Sequence, residues 1–404
     1  MTNGKIIRIA LREARLKRMV RRHLKKMGFG RDAQGRLAPP CLDKAGYRKL
    51  HQGQREDKIQ ANHVWVAKNE SKLFRWFADG AEIVPSLINP QIELVKGGTW
   101  QSDLFRFASL YWQIPVSEGY GRRLRFLVWD KGHNKLLGIF ALGDAVFNQS
   151  ARDSFIGWDH HRRSESLVNL MDAYVLGALP PYSHLLGGKL VASLIRTREV
   201  VQAFEDRYVD SVGLISKQKK NARLIAVTTS SALGRSSIYN RLHLQGRKIF
   251  QPIGFTSGWG HFHFSGKIFE ELRQYLVYID DSYARAFNFG SGPNWRLRVI
   301  RRALDRLGMD SKLARHGLAR EVFIARIATN AEEVLRGDHL DARYDDLPSV
   351  SEIGALALKR WVIPRSERDP RYLDWRATDL LSAIHGKSPC AKYEKRVSVN
   401  EMGH

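Results

Sequence analysis

The chain has 404 residues, 43% of them hydrophobic and 10% aromatic, enough for a sizeable core and for two or three structural units. No apolar run approaches the roughly 20 residues of a membrane-spanning helix, and the basic N-terminus lacks the continuous apolar block of a signal peptide, so membrane insertion is set aside and a cytoplasmic protein is expected. The formal net charge of +25 draws polyanions at long range, which makes nucleic acid the first expected partner and an anionic membrane the second; charge alone does not choose the nucleic acid, and the reading carries DNA forward and no membrane.

In chain order, Lys5 to Lys26 has the spacing of one helix. Ile9, Leu16, Val20, Leu24 and Met27 share one face, while Arg8, Arg12, Arg15, Arg18, Arg22 and Lys26 share another. Such a helix either docks on the body with a solvated outer face or tracks phosphates as a nucleic-acid-binding arm. The Gly and Pro residues of Phe29 to Leu42 break the pattern and read as a linker, so residues 1–70 form a basic N-terminal arm with its linker.

Residues 71–270 read as a mixed α/β (α+β) core. Arg122 to Asp130 and Lys135 to Phe147 flank Lys131-Gly132-His133-Asn134, a tight-turn composition, and predict a hairpin. Leu167 to Leu179 predicts a buried strand, Leu179 to Lys189 a polar bend, and Leu185 to Ile195 a helix. Arg223 to Ser231 is the next strand, followed by a Ser/Gly-rich turn, a short helical piece over Ile238 to Leu244, and strand with turns over Ile249 to Gly266. Residues 271–404 read as a helical C-terminal extension, helical through Leu318 to Gly337 and peripheral beyond Asp338.

Over about residues 70 to 270, the run from Phe155 to Ile195, the Ser236 to Leu242 piece and Ile253 to Gly260 resemble the protein A family of the Druantia anti-phage defence systems. That resemblance implies a part in bacterial immunity against phage beside a helicase-like partner encoded with it. The same order of elements also resembles, more distantly, the Gcn5-related acetyltransferase superfamily. There a strand splays at a bend and the following helix meets the cofactor's pyrophosphate. The superfamily's bend motif falls here on His184, Leu185, Leu186, Gly187, Gly188 and Lys189, departing from the pattern at His184 and Lys189. On that likeness His184, Leu186, Gly187, Gly188 and Lys189 become cofactor-binding candidates, with acetyl-CoA or another acyl-CoA as the implied donor, and Tyr239 becomes the acid that protonates a leaving thiolate.

Other residues carry chemistry of their own. Asp144 and Asp172 lie inside apolar strands, where a carboxylate is costly unless paired, so each marks a structural pair or a catalytic group. Together with Asp159 they would make the metal-binding cluster of a transposase-like nuclease if the fold gathered them. In Trp158 to Arg163, Asp159 suits a local hydrogen-bonded turn and Arg162 and Arg163 suit phosphate or a carboxylate; adjacent His160 and His161 cannot share one ion from a strand, and no metal is expected. Trp259, Phe262 and Phe264 either stack on unpaired bases or fill a sheet edge. Cys41 and Cys390 read as two free thiols in a reducing compartment. Three functions therefore stay open: a nucleic-acid-binding defence component, an acyl-CoA-dependent transferase acting on a nucleobase or protein amine, and a nuclease.

Overall fold

The computed structural model describes residues 3–40, 43–117, 121–210, 221–281, 295–338 and 341–386; Cys41 and Cys390 lie outside them. In chain order the elements are α1 (Asn3–Lys26), β1 (Gly30–Arg31), β2 (Leu37–Ala38), α2 (Lys44–Leu73), β3 (Pro90–Leu94), α3 (Trp100–Ser109), β4 (Arg123–Asp130) and β5 (Lys135–Asp144). Next come α4 (Ser150–Ile156), α5 (His160–Ser166), β6 (Leu170–Ala178), α6 (Gly187–Ser193), α7 (Arg198–Tyr208), β7 (Ala226–Ser230), α8 (Ser237–Asn240), β8 (His243–Leu244), β9 (Arg247–Lys248) and β10 (Gln251–Phe255). The last are α9 (Lys267–Tyr278), α10 (Trp295–Arg306), β11 (Glu321–Arg326), α11 (Ala331–Arg336), α12 (Val350–Ala357), α13 (Ile363–Arg368) and α14 (Ala377–Ile384).

Two compact units share these elements. The first takes Met1–Asp57, Ala232–Gly234 and Phe255–Arg320. Its core joins Leu16, Val20 and Leu24 of α1 to Ile268, Phe269, Leu272 and Leu276 of α9 and to Val299, Ile300, Ala303 and Leu304 of α10. The apolar stripe of the N-terminal helix is thus what docks it. The stretch expected to be a linker folds back as the β1–β2 hairpin, and α2 occupies residues that the sequence reading left without an element.

The second unit holds a seven-stranded sheet in the order β10-β11-β7-β6-β5-β4-β3. β6 and β7 run parallel, while β3–β4, β4–β5, β5–β6 and β7–β11 are antiparallel. Both faces are covered, as β4 shows: Leu124, Phe126 and Val128 enter one core, Leu127 and Trp129 the other. The predicted hairpin is present, with Asn134 at φ 54° closing its turn. Two expectations are corrected. Within the segment read as helical, Glu321–Arg326 is the buried strand β11, because a run of branched and aromatic residues covered on both faces carries no alternation to distinguish it from a helix. The part beyond Asp338 is not peripheral: Val350, Ile353, Trp361 and Tyr372 complete one core, and Trp375, Leu380 and Ile384 the other.

Candidate functional site

The two parallel strands pair only at Leu170–Ala226, Met171–Val227 and Asp172–Thr228, although β6 continues to Ala178. Where they part, the β5–β6 register shifts by one residue, with Ala141 opposite Val175 and Leu142 opposite Ala173, so Tyr174 is the bulged residue. Polar side chains gather at this fork. Thr228 Oγ1 donates to Asp172 Oδ1 at 2.9 Å, and Thr229 Oγ1 donates to the Ala173 carbonyl at 2.8 Å. Asp172 keeps some surface, yet burial pushes its pKa up to about 6 against the opposing pull of the Thr228 hydroxyl and the Arg152 charge. A carboxylate at that value exchanges protons near neutrality.

Tyr239 approaches the strands from α8 on the face that carries Met171 and Val227. The Ser236 hydroxyl accepts from the Tyr239 amide at 3.1 Å, and the Glu321 carboxylate accepts from Ser236 N at 3.1 Å and from Asn240 Nδ2 at 2.8 Å, so β11 fixes the short helix. The phenol packs against Phe250 and Phe323, with ring centroids 4.7 and 5.3 Å away. Burial lifts its pKa to about 12, with the neighbouring Thr229 hydroxyl lowering and the Asp172 charge raising it. The two candidates sit on opposite faces of the sheet: Asp172 and Thr228 share the face of Leu170 and Ala226, and Tyr239 packs on the face of Met171 and Val227.

The bend before α6 is anchored from beneath. Tyr182 donates its hydroxyl to Asp130 Oδ2 at 2.9 Å, and the fully buried Asp130 also accepts from His133 Nδ1 at 2.6 Å and from the Asn89 and Gly132 amides. Of the cofactor candidates, Gly187 is closed in: a Cβ there would stand 2.6 Å from the Tyr182 carbonyl. The His184 carbonyl accepts from Arg365 Nε at 3.3 Å and its ring lies 6.0 Å from Trp375, while half-buried Leu186 sits in the left-handed region at φ 59° and packs against the core. Gly188 and Lys189 are more open. A Cβ on Gly188 would meet only Ile238 at 3.5 Å. The Lys189 ammonium lies 5.5 Å from the Trp361 ring, and burial followed by the Arg241 and Arg360 charges lowers its pKa. Among the described residues none of these three cations pairs with a carboxylate. Sequence reading did not single out Arg241 or Arg360; no local pattern connects Arg360 to the bend.

In the first unit, Arg8, Arg15, Arg18, Arg22 and Lys26 are exposed, as are Arg21 and Lys25, which the sequence reading left out although they follow the same three- and four-residue spacing. Arg12 is half-buried with its guanidinium 4.6 Å over the Tyr278 ring. No carboxylate among the described residues pairs with any of these eight cations.

The remaining candidates have local roles. Asp144 Oδ1 pairs with Arg122 Nε at 2.7 Å and its Oδ2 accepts the Arg122 amide. Asp159 caps α5 by accepting the Arg162 amide at 2.7 Å. Arg163 meets Asp153 at 2.8 Å, and Arg162 meets Glu165 at 3.1 Å and the Leu335 carbonyl at 3.2 Å. Asp144 lies opposite Met171 and Gly143 opposite Asp172, which sends the Asp144 and Asp172 side chains to opposite faces of the sheet. Among the described residues no three His, Cys, Asp or Glu side chains are placed to hold a metal ion, so the carboxylate cluster that the nuclease reading required is not formed. Phe262 and Phe264 are core residues, and Trp259 is exposed beneath the Arg301 guanidinium.

Fold and sites together define a mixed α/β protein with a polar fork in its sheet and a helical unit bearing a basic helix; no described helix is long and apolar enough to cross a membrane. No solved structure matches the chain. The profile described as Druantia protein DruA matches residues 41–337, and Druantia protein DruA of Escherichia coli (strain UMEA 4076-1) is 51% identical over 383 residues, 95% of each chain. The chain belongs to the Druantia protein DruA family.

Proposed function

We propose that this chain is the nucleic-acid-engaging component of a Druantia anti-phage defence system, acting on DNA together with a helicase-like partner in the cytoplasm. Family membership supports the defence role. The nucleic-acid reading rests on the charge of the first unit, whose 126 residues hold 27 Lys and Arg against 11 Asp and Glu, a net +16 of the chain's +25. On α1 the described cations have no carboxylate partner among the described residues, and the buried leucine face fixes the helix that carries them, which suits a row of phosphates. Duplex DNA binding across a salt series tests this. Replacing Arg15, Arg18 and Arg22 with Gln should flatten the log–log salt slope by about 3, near 0.9 for each phosphate no longer neutralised. An unchanged slope refutes the arm.

The fork supports a second reading, an acyltransferase. A bound acyl-CoA would supply an acyl group activated as a thioester. Lys189, Arg241 and Arg360, cations without a carboxylate partner among the described residues, fit its phosphates. Tyr239 Oη, on the same face as the bend, would hold the proton that a departing thiolate needs, and the incoming nucleobase or protein amine would release its proton to solvent. Thermal shift with acetyl-CoA, on the intact chain and on Arg241→Gln, tests it: a shift lost in the variant supports the site, and no shift in the intact chain removes it.

A further inference from the structure

A tryptophan cluster on the second unit is used by neither reading. Trp129 on β4 is buried, and its Nε1 donates to Glu93 Oε2 at 2.7 Å. Trp76 meets it edge-on at 5.2 Å, and Trp100, the first residue of α3, stacks on Trp76 at 5.3 Å with the ring planes 18° apart. The outermost indole keeps 46% of its surface. It is placed by its backbone: Gly98, at φ 75°, turns the chain, and Thr99 caps α3 through the Ser102 amide. The cluster is flanked by cations. The Arg75 guanidinium lies 4.7 Å over Trp76 and the Lys131 ammonium 5.5 Å from the Trp129 ring. Both residues are exposed, and neither pairs with a carboxylate among the described residues. Glu93 is already engaged by Trp129 and by Gln101 Nε2 at 2.9 Å.

We propose that Trp100, stacked on Trp76 and flanked by Arg75 and Lys131, is a base-stacking platform for single-stranded nucleic acid. The inference deepens the nucleic-acid reading and rests on it. An exposed aromatic face takes the face of a base, which a duplex hides within its stack, whereas unpaired bases offer theirs; the flanking cations suit the phosphates on either side. A neutral glycan also stacks on tryptophan but gives Arg75 and Lys131 nothing to neutralise.

The test uses the full chain with oligothymidylate, a duplex of the same length and a glucose hexasaccharide, following tryptophan emission and affinity. Oligothymidylate should quench emission, and Trp100→Ala should weaken its binding about tenfold, within the range of one base stack removed, leaving duplex affinity unchanged. Trp100→Phe, which keeps an aromatic face, should recover most of the loss, and Arg75→Gln with Lys131→Gln should weaken oligothymidylate binding at low salt. Oligothymidylate affinity within twofold of the intact chain's in Trp100→Ala, equal losses on duplex and single strand, or quenching by the hexasaccharide alone overturns the platform. If the α1 variant keeps its salt slope while Trp100→Ala still loses single-strand binding, the arm fails and the platform stands. An intact chain that binds neither nucleic acid refutes both.

Discussion

Lowering the pH from about 7.5 to about 5 should unfold the first unit, through three buried histidines whose hydrogen bonds require them to be neutral. His51 Nε2 faces Arg320 Nη2 at 3.1 Å and can only accept there, with Nδ1 against Gln54 Oε1 at 3.0 Å. His316 Nδ1 accepts the Leu318 amide at 3.1 Å, and its ring stands 5.6 Å from that of His263. His263 is fully buried; its Nε2 meets the Leu313 carbonyl at 2.8 Å and its Nδ1 has no partner. A second proton on any of these rings meets an N–H donor or nothing. Burial above all holds the pKa of His51 at about 4, of His263 at about 4 and of His316 at about 3; the Arg320 charge adds to this for His51 and His316, and His23 and His261 add to it for His263. Each folded value lies below the ordinary 6.5, so the stabilisation is complete above about pH 6.5, declines as the pH falls, and is exhausted only near the folded values. At 1.36 kcal/mol per pH unit, each ring forfeits about 2 kcal/mol by pH 5, and the three together about 6, comparable to the whole stability of a domain. Urea unfolding at the two pH values gives the difference, with hydrogen exchange in α9 and α10 assigning the transition. His263→Phe should remove one proton from the pH slope. Equal unfolding free energies at both pH values, to within about 1 kcal/mol, would refute the reasoning.

Three further outcomes follow from the packing. Gly187→Ala should destabilise by about 1–3 kcal/mol because its Cβ meets a backbone carbonyl, while Gly188→Ala should be neutral or slightly stabilising; equal thermal midpoints for the two variants would contradict the geometry. Asp172→Asn retains an acceptor for Thr228 and removes a charge that burial disfavours. Since a raised folded pKa loses stability as pH climbs from about 4 to about 6, the variant should gain about 1–2 kcal/mol at pH 7.5 and little at pH 4, as read from urea midpoints. Arg152→Leu strips donors from the Val146 and Phe147 carbonyls and from Asp153 Oδ1, and should cost about 3–5 kcal/mol in chemical unfolding.

Much of this was legible wherever the signal is local. The two stripes of α1 follow from spacing, the β4–β5 hairpin from its Gly-Asn turn, and the succession of β6, bend and α6 from a change of period. β11 was not, because a strand covered on both faces loses its alternation, and neither was α2, whose apolar residues are too sparse to draw a stripe. The fork depends on register: Asp172 and Tyr239 stood out singly, and only the parallel pairing of β6 with β7 brings the Thr228 hydroxyl to Asp172. The tryptophan cluster joins positions 76, 100 and 129, and the neutral histidines positions 51, 263 and 316; no window along the chain contains either set.

The helical unit is assembled from segments far apart in the chain, and that sets a schedule for its birth on the ribosome. Leu16, Val20 and Leu24 are translated first, but most of the core they join, from Ile268 of α9 to Leu304 of α10, follows Lys267. At about 5–20 residues per second, the amphipathic N-terminal helix waits on the order of tens of seconds with its leucines uncovered and its arginines free. During that interval its apolar stripe is open to self-association, and a nascent chain that stops short of α10 lacks Val299, Ile300, Ala303 and Leu304 from the core that seats the helix.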